Sequence, residues 1–187
     1  MQIDLVNTDH WKRHLDQDEP LAGLAPDNVD GLVELLPEGH SVLCVGSGSG
    51  YEIEQLRKMG RDAIGLSRNL IEVKSTCTKG LPCILGDMHD LPFRDEAFDC
   101  VFCKDTWEHS VAPFISLSEM VRVTKEGGYV LINLPDESWI ECIYHYSVLN
   151  ERQVAEMFDK CKLEFKMIGP GIYLGRKNSS LEYSGRQ

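Results

Sequence analysis

The sequence lacks any long apolar run. No stretch of its 187 residues approaches the roughly 18 consecutive apolar residues that a membrane-spanning helix needs. The first fourteen residues carry charges throughout and contain no apolar segment of the kind found in signal peptides. We therefore expect a protein that neither spans a membrane nor is exported, with a cytoplasmic location.

Basic residues are also scarce. The chain has 19 Lys and Arg against 30 Asp and Glu, which gives a formal net charge of −11. Proteins that bind nucleic acid usually have the opposite balance, because Lys and Arg neutralise the phosphates and release counterions. We expect no nucleic-acid partner.

A disulfide framework is missing as well. The seven cysteines are odd in number and scattered, and several lie inside apolar runs typical of buried strands. Cys100 and Cys103 have the spacing of a metal or redox pair, but residues three apart on a strand point to opposite faces, and no second pair follows. A reducing compartment is the better match.

Short apolar runs alternate along the chain with helical patterns, as in a parallel sheet covered by helices. The predicted strands cover 41–45, 62–66, 82–85, 98–103, 129–134, 163–168 and 171–176. The predicted helices cover 27–36, 51–59 and 70–77, with two more starting at Pro113 and after the N-cap Asn150. The Gly127-Gly128 pair is expected to break the chain before the fifth strand.

These elements predict an α/β fold. We expect a three-layer sandwich with a central, mostly parallel Rossmann-like sheet of about seven strands that ends in an antiparallel hairpin. Residues 1–187 form one domain in this prediction. Within it, 1–26 are an N-terminal extension, 41–135 a ligand-binding core and 136–150 a segment on the substrate side.

The strongest chemical signal is the glycine-rich loop that follows the first strand, Gly46-Ser47-Gly48-Ser49-Gly50. Glycines let the backbone approach a ligand, and the N-terminus of the next helix favours a carboxylate or phosphate. A dinucleotide fingerprint needs Gly or Ala at its sixth position and an acid after the second strand. This chain has Tyr51 at the sixth position and Ser67-Arg68 after the strand, which argues against a nicotinamide or flavin enzyme.

The order of motifs resembles the class I S-adenosylmethionine-dependent methyltransferases, and in particular their small stand-alone domains. The glycine-rich loop is similar to the family's first motif. The other segments that carry the resemblance are Leu85-Gly86-Asp87-Met88, Leu91-Pro92-Phe93, Phe98-Asp99, Glu108-His109 and the run 119–128. Together they lie within residues 41–135.

The resemblance implies a cofactor site for S-adenosyl-L-methionine. The glycine-rich loop would lie against the methionyl and ribose parts, Asp87 would accept a hydrogen bond from the adenine amino group, and Met88 would flank the ring. The residues implied in cofactor binding are Gly46, Ser47, Gly48, Gly50, Ser67, Asp87, Met88, Cys103 and Lys104.

The chain departs from the family at two positions. Cys44 and Ser67 stand where the family usually has acidic residues. A charged hydrogen bond is worth ~1.5–3 kcal/mol, so each replacement predicts weaker capture of the cofactor. This motivates an alternative in which the domain binds a cofactor or a partner without catalysing a reaction.

His109 is the first candidate for a general base, because imidazole accepts protons near neutral pH and the residue follows the fourth strand. Tyr144 and His145 are the second candidates. The run Asp105-x-x-Glu108-His109 resembles a metal-binding run of some family members, but no fourth ligand can be named and we predict no metal.

The sequence therefore predicts an enzyme that transfers a methyl group to a small-molecule acceptor. The family's DNA-amino members carry an Asn/Asp-Pro-Pro-aromatic run after the fourth strand, where this chain has Lys104-Asp105-Thr106-Trp107. Base methylation is not expected.

Overall fold

The computed structural model describes residues 31–37, 39–135 and 142–178. Seven strands form one sheet in the order β3-β2-β1-β4-β5-β7-β6. The strands are β1 (Ser41–Val45), β2 (Asp62–Ser67), β3 (Cys83–Leu85), β4 (Phe98–Lys104), β5 (Thr124–Asn133), β6 (Leu163–Gly169) and β7 (Ile172–Lys177). The predicted α/β fold is confirmed.

Four helices lie wholly within the described part of the chain. They are α1 (Tyr51–Lys58), α2 (Leu70–Thr78), α3 (Pro113–Val123) and α4 (Glu151–Lys160). A short 3₁₀ turn, Trp107–His109, follows β4. None of these helices is long and apolar enough to cross a membrane.

Strands β1 to β5 pair in parallel, so their carboxyl ends meet at one edge of the sheet. Strand β7 pairs antiparallel with both β5 and β6, which forms the predicted terminal hairpin. The chain moves outward from β1 to β3 in one direction and from β4 to β5 in the other. Ligands in open α/β sheets bind at such a reversal, beside the carboxyl ends of the strands.

Alternate residues of the central strands fill the two sides of the sheet. Leu43 and Val101 face one buried cluster, while Val42 and Phe102 face the other. Helices α3 and α4 contribute to the first cluster, and α1 contributes to the second. This arrangement produces the three layers expected from the sequence.

The same alternation separates the cysteine pair. Cys100 lies in the cluster on the α1 side, and Cys103 lies in the cluster on the α3 side. All seven cysteines are free thiols. The expectation that the pair holds no metal or disulfide follows from this placement on opposite faces.

Local capping signals agree with the structure. The side chain of Asn150 accepts a hydrogen bond from the backbone N–H of Gln153, whose side chain accepts one from the backbone N–H of Asn150. This reciprocal pair starts α4 as the capping box predicts. Pro113 starts α3, where its missing N–H costs nothing.

One boundary prediction is wrong. The glycines at 127 and 128 lie inside β5, which begins at Thr124, rather than before it. Gly127 has a φ of 74°, and the β4–β5 register shifts between Phe98 and Cys100. The pair therefore bends a continuous strand, as glycines in a bulge do. Of the helix predicted over 27–36, residues 31–34 are helical, while 27–30 lie outside the described residues.

Candidate active site

The glycine-rich loop connects β1 to α1 at the carboxyl edge of the sheet. The N–H groups of Gly46 and Ser47 both donate to the carbonyl of Leu66, at 2.8 Å and 3.1 Å, and so tie the loop to β2. Gly46 has a φ of 73°, and a Cβ there would lie 2.0 Å from Oγ1 of Thr106. This glycine is needed because the loop after β4 packs directly against it.

Gly48 differs from Gly46 in its surroundings. Its φ is 46°, and a Cβ there would meet no atom within 4 Å. Gly50 is the N-cap of α1, so the first N–H groups of that helix lie next to this open position. The carbonyl of Gly48 accepts a hydrogen bond from Oγ1 of Thr76 at 3.1 Å, so the open space lies on the Cβ side of this residue.

Cys44, one of the two departures from the family, is 1% exposed and packs in the core. A carboxylate nevertheless lies nearby, because Glu52 in the first turn of α1 lines a small recess with Cys44, Gly46 and Lys104. Burial raises the pKa of Glu52. The recess thus contains an acidic group, although it comes from a helix rather than from β1.

Ser67, the other departure, also has an acidic neighbour. Its hydroxyl donates to Oε2 of Glu72 at 2.6 Å and accepts from the N–H of Asn69 at 3.0 Å. Glu72 lies in the first turn of α2, and burial raises its pKa. A carboxylate is therefore present at the end of β2, five residues later than the family pattern places it.

Asp87 follows β3 and is half exposed. Its Oδ1 accepts from both the N–H and Nδ1 of His89, at 2.9 Å and 2.6 Å. Burial acts to raise the pKa of Asp87, but the hydrogen bonds from His89 and nearby positive charge lower it overall. One carboxylate oxygen therefore has a structural role, so removing this side chain would also loosen its own loop.

His89 extends this contact to the next loop. Its Nε2 lies 2.7 Å from Oγ of Ser110, which lies 3.0 Å from Oγ of Ser116. The row of Asp, His and Ser is similar to a nucleophile arrangement, but Ser110 is fully buried. It joins two loops of the site and has no access to a substrate.

The remaining predicted cofactor residues are buried. Met88 is 5% exposed and Cys103 is fully buried, both within the core. Lys104 lines the recess, and its ammonium pairs with the carboxylate of Asp105. Asp105 therefore pairs with Lys104 and does not belong to the group that Glu108 and His109 form with His145.

Glu108, His109 and His145 form a compact group that we call the histidine–glutamate cluster. Their ligating atoms all lie within 4.8 Å of one another. Nε2 of His109 is 3.8 Å from Oε1 of Glu108, and Nε2 of His145 is 3.9 Å from the same oxygen. The two imidazole rings meet edge to face with centroids 5.0 Å apart.

Glu108 is deeply buried within this cluster, with a side chain 5% exposed. Within the described part of the chain, its Oε2 has no hydrogen-bond partner. Burial raises the pKa of Glu108 to about 8, and the charge of Asp105 acts in the same direction. Among the residues that the structure describes, no other buried side-chain oxygen or nitrogen lacks a partner, so this carboxylate calls for a functional explanation.

The segment after β5 is fastened over the turn that carries Glu108. The N–H of Ser147 donates to the carbonyl of Glu108 at 3.0 Å, and its hydroxyl donates to the carbonyl of Ser110 at 2.6 Å. Nδ1 of His109 lies 2.9 Å from the carbonyl of Tyr144. These bonds bring His145 to the cluster.

Exposed apolar side chains flank the cluster in sequence. Val111 is 56% exposed, Ile143 80% and Tyr146 53%.

The structure brings His109 and His145 together, while Tyr144 contributes its backbone carbonyl to His109. Glu52, Glu72 and His89 were missed by the sequence analysis. A signal existed for the two glutamates, because each lies in the first turn of a helix that begins at the end of a strand.

Comparisons with known proteins show what this domain is similar to. Residues 43–132 match the methyltransferase domain family. Their fold is that of the class I methyltransferases. A demethylmenaquinone methyltransferase of Renibacterium salmoninarum is 33% identical over 96 residues, which cover 50% of this chain and 40% of that relative. The chain spans less than half the length of four curated relatives that it matches, between 31% and 42%.

Solved structures share the fold. The protein found in complex with the Haloferax volcanii Trm112 methyltransferase activator superposes with a TM-score of 0.70 at 18% identity, over 80% of this chain and 88% of that one. A phosphoethanolamine N-methyltransferase of Haemonchus contortus, bound to phosphomonomethylethanolamine and S-adenosylhomocysteine, gives 0.70 at 20% identity, over 81% and 41%. The class I fold predicted from the motif order is thus confirmed.

Proposed function

We propose that this protein binds S-adenosyl-L-methionine and transfers its methyl group to a small, largely apolar acceptor. The observation that carries the proposal is the open space at the Cβ position of Gly48 beside the N-terminus of α1, at the same sheet edge as the histidine–glutamate cluster. Thr106 contacts Gly46, and the turn bearing Glu108 and His109 starts one residue later. Cofactor-binding and acceptor-binding residues are thus neighbours.

The residues present fit this cofactor. The open position at Gly48 leaves room that a side chain would fill. Glu52 offers a carboxylate for the cofactor's ammonium, and Glu72 offers one for the ribose hydroxyls. Asp87 keeps one oxygen for the adenine amino group, since the bonds from His89 go to the other. The two glutamates take the place of the acids missing at Cys44 and Ser67.

The cofactor supplies a methyl group that its sulfonium charge has already activated. The chain's own task is to orient an acceptor, exclude water and accept a proton. His109 is the proposed base. Its Nδ1 faces a carbonyl, so this nitrogen carries the proton and Nε2 is left as the acceptor. At 27% exposure it reaches solvent more readily than His145 at 7%, which with Tyr144 remains a second candidate.

The proposal that the acceptor is a small apolar molecule rests on the exposed side chains of Val111, Ile143 and Tyr146, which lie close to the cluster residues in the sequence. Relatives named as demethylmenaquinone methyltransferases point in the same direction. The net charge of −11 disfavours a nucleic-acid acceptor.

Calorimetry with S-adenosylmethionine and S-adenosylhomocysteine tests the cofactor. We expect saturable 1:1 binding, with Arg152→Ala on the exposed face of α4 as a control that leaves it unchanged. Absence of binding at millimolar cofactor would overturn the proposal and favour a silent, partner-binding domain. That second candidate is also favoured by the neighbour found with an activator protein.

Methyl transfer is then measured with labelled cofactor and a panel of hydroxylated aromatic and quinol acceptors. His109→Ala is expected to lower turnover about 100-fold or more while leaving cofactor affinity nearly intact, because a positioned base contributes that much. Full turnover in this variant would remove His109 from the chemistry.

A further inference from the structure

The histidine–glutamate cluster combines ligands from two separate loops. Glu108 and His109 lie in the turn after β4, and His145 lies in the segment after β5. The hydrogen bonds of Ser147 to the carbonyls of Glu108 and Ser110 hold the two loops together. The three side chains therefore meet because of the fold, and their convergence is independent of the sequence run that contains Asp105.

The distances between the ligand atoms of the cluster are slightly longer than those in a metal site with a bound ion. A tetrahedral site with ligands at about 2.0–2.1 Å has adjacent ligand atoms about 3.4 Å apart. Here Oε1 of Glu108 lies 3.8 Å from Nε2 of His109 and 3.9 Å from Nε2 of His145. Each pair of ligand atoms would have to approach by about half an ångström in total to complete the geometry. The same distances are too long for hydrogen bonds.

The tautomer of His109 points its lone pair into the cluster. The carbonyl of Tyr144 can only accept, so Nδ1 of His109 must donate the hydrogen bond to it. In the neutral imidazole, Nε2 is then the nitrogen with the lone pair, and it lies 3.8 Å from Oε1 of Glu108. A backbone carbonyl that orients a histidine in this way is the usual outer partner of a metal-bound imidazole.

A second, independent observation is the orphaned oxygen of Glu108. The side chain is 5% exposed, and within the residues that the structure describes its Oε2 has no partner. A buried carboxylate without partners is costly, whereas a cation in contact with it removes that cost.

We propose that Glu108, His109 and His145 bind a divalent transition metal ion, with zinc as the best match. Two imidazoles and one carboxylate are a known ligand set of catalytic zinc sites, which keep a fourth position open. The set offers too few oxygens for calcium and is too rich in nitrogen for magnesium. The 27% exposure of His109 leaves a way in.

The open position suggests what the metal does, and this part rests on the proposed function. An acceptor hydroxyl coordinated there would lose its proton more easily, because the cation stabilises the oxyanion. His109 would then act as a ligand rather than as the base.

The test is calorimetric titration of the full chain, freed of metal, with Zn²⁺. We expect one ion per chain, and affinity at least about 10-fold lower in His145→Ala and His109→Ala. His40→Ala serves as the control, since this exposed histidine lies outside the cluster. Because unfolded variants would also lose binding, circular dichroism and the conservative His145→Asn accompany each measurement.

Spectroscopy and heat stability give readouts besides activity. Co²⁺ is expected to show ligand-field bands without the charge-transfer band of thiolate, which separates this cluster from the seven cysteines. Zn²⁺ should raise the melting temperature of the unmodified chain but not of His145→Asn.

Two results would overturn the inference. One is no binding of Zn²⁺ below millimolar concentration, and the other is stoichiometric binding that persists unchanged in both histidine variants. Cofactor binding is measured separately on the same protein. Cofactor binding without zinc binding would contradict this inference alone, and zinc binding without cofactor binding would contradict the proposed function alone.

Discussion

At the scale of single residues, the carboxylate at the end of β2 comes from Glu72 in the next helix, α2. Ser67 occupies the end of β2, and its hydroxyl donates to Glu72 at 2.6 Å. The serine thus holds the carboxylate of a residue from the next helix. The pair provides one negative charge at the strand end, as a single aspartate would.

We expect Glu72→Gln to weaken binding of S-adenosylmethionine about 10-fold or more, because a charged hydrogen bond to the ribose is lost. Calorimetry measures the change, and the matched control is Glu54→Gln, whose exposed carboxylate pairs with Lys58 outside the site. Equal affinity in the two variants would show that Glu72 does not contact the cofactor.

The same pair decides the effect of introducing an acid at position 67. Taken alone, the sequence suggests that Ser67→Asp would tighten cofactor binding. In the structure the new carboxylate would lie against Glu72, so we now expect repulsion and weaker binding. The double variant Ser67→Asp, Glu72→Gln removes that repulsion and should bind more tightly than Ser67→Asp alone.

At the scale of elements, the loop between β1 and α1 contains two glycines with different tasks. A Cβ at Gly46 would lie 2.0 Å from Oγ1 of Thr106, whereas a Cβ at Gly48 would meet no atom within 4 Å. Both have positive φ, which costs a side chain about 1–2 kcal/mol. A side chain at Gly46 would in addition collide with Thr106, while one at Gly48 would not.

We therefore expect Gly46→Ala to lower the melting temperature clearly more than Gly48→Ala. Gly48→Ala should instead weaken cofactor binding at a small cost in stability, since its methyl group fills the ligand's space. Thermal melts and calorimetry of the two variants separate these effects. Comparable melting temperatures in both variants would mean that the loop after β4 moves away from Gly46 easily.

At the scale of the whole molecule, a partly exposed ion pair joins three strands at the sheet edge opposite the site. Asp99 of β4 accepts from Ser41 of β1, at 2.8 Å from both N–H and hydroxyl, and from Lys125 of β5 at 2.7 Å. Burial acts to raise the pKa of Asp99, but these hydrogen bonds lower it well below its usual range. The carboxylate is therefore stabilised in its charged form.

This predicts a loss of stability in acid. A folded-state pKa below the unfolded value of about 3.9 adds stability that is fully present above about pH 5 and disappears as the pH falls through the folded pKa. We expect denaturant unfolding to show the decline below about pH 4, and Asp99→Asn to be less stable at pH 7 with a flatter profile. A variant with the same slope as the parent would show that other carboxylates cause the acid sensitivity.

The order and type of the elements could be predicted from the sequence because each has a local cause. Apolar runs made the strands, the Asn150–Gln153 box started α4, and the glycines after β1 made a ligand loop. The exception was Gly127-Gly128, which the local pattern predicts to interrupt the chain. Strand β5 continues through these glycines because it pairs with β4 on both sides of them. Pairing energy from a neighbouring strand has no counterpart in a local pattern.

The sequence by itself thus determined the fold class, the glycine loop and the resemblance to the methyltransferases. Only the tertiary structure decided which acids lie beside Cys44 and Ser67 and which residue joins Glu108 and His109. Glu72 reaches Ser67 because a helical turn folds it back, and His145 lies 36 residues from His109 along the chain. Contacts between separate loops depend on the hydrogen bonds that dock them, here those of Ser147, and such docking is invisible in residue order.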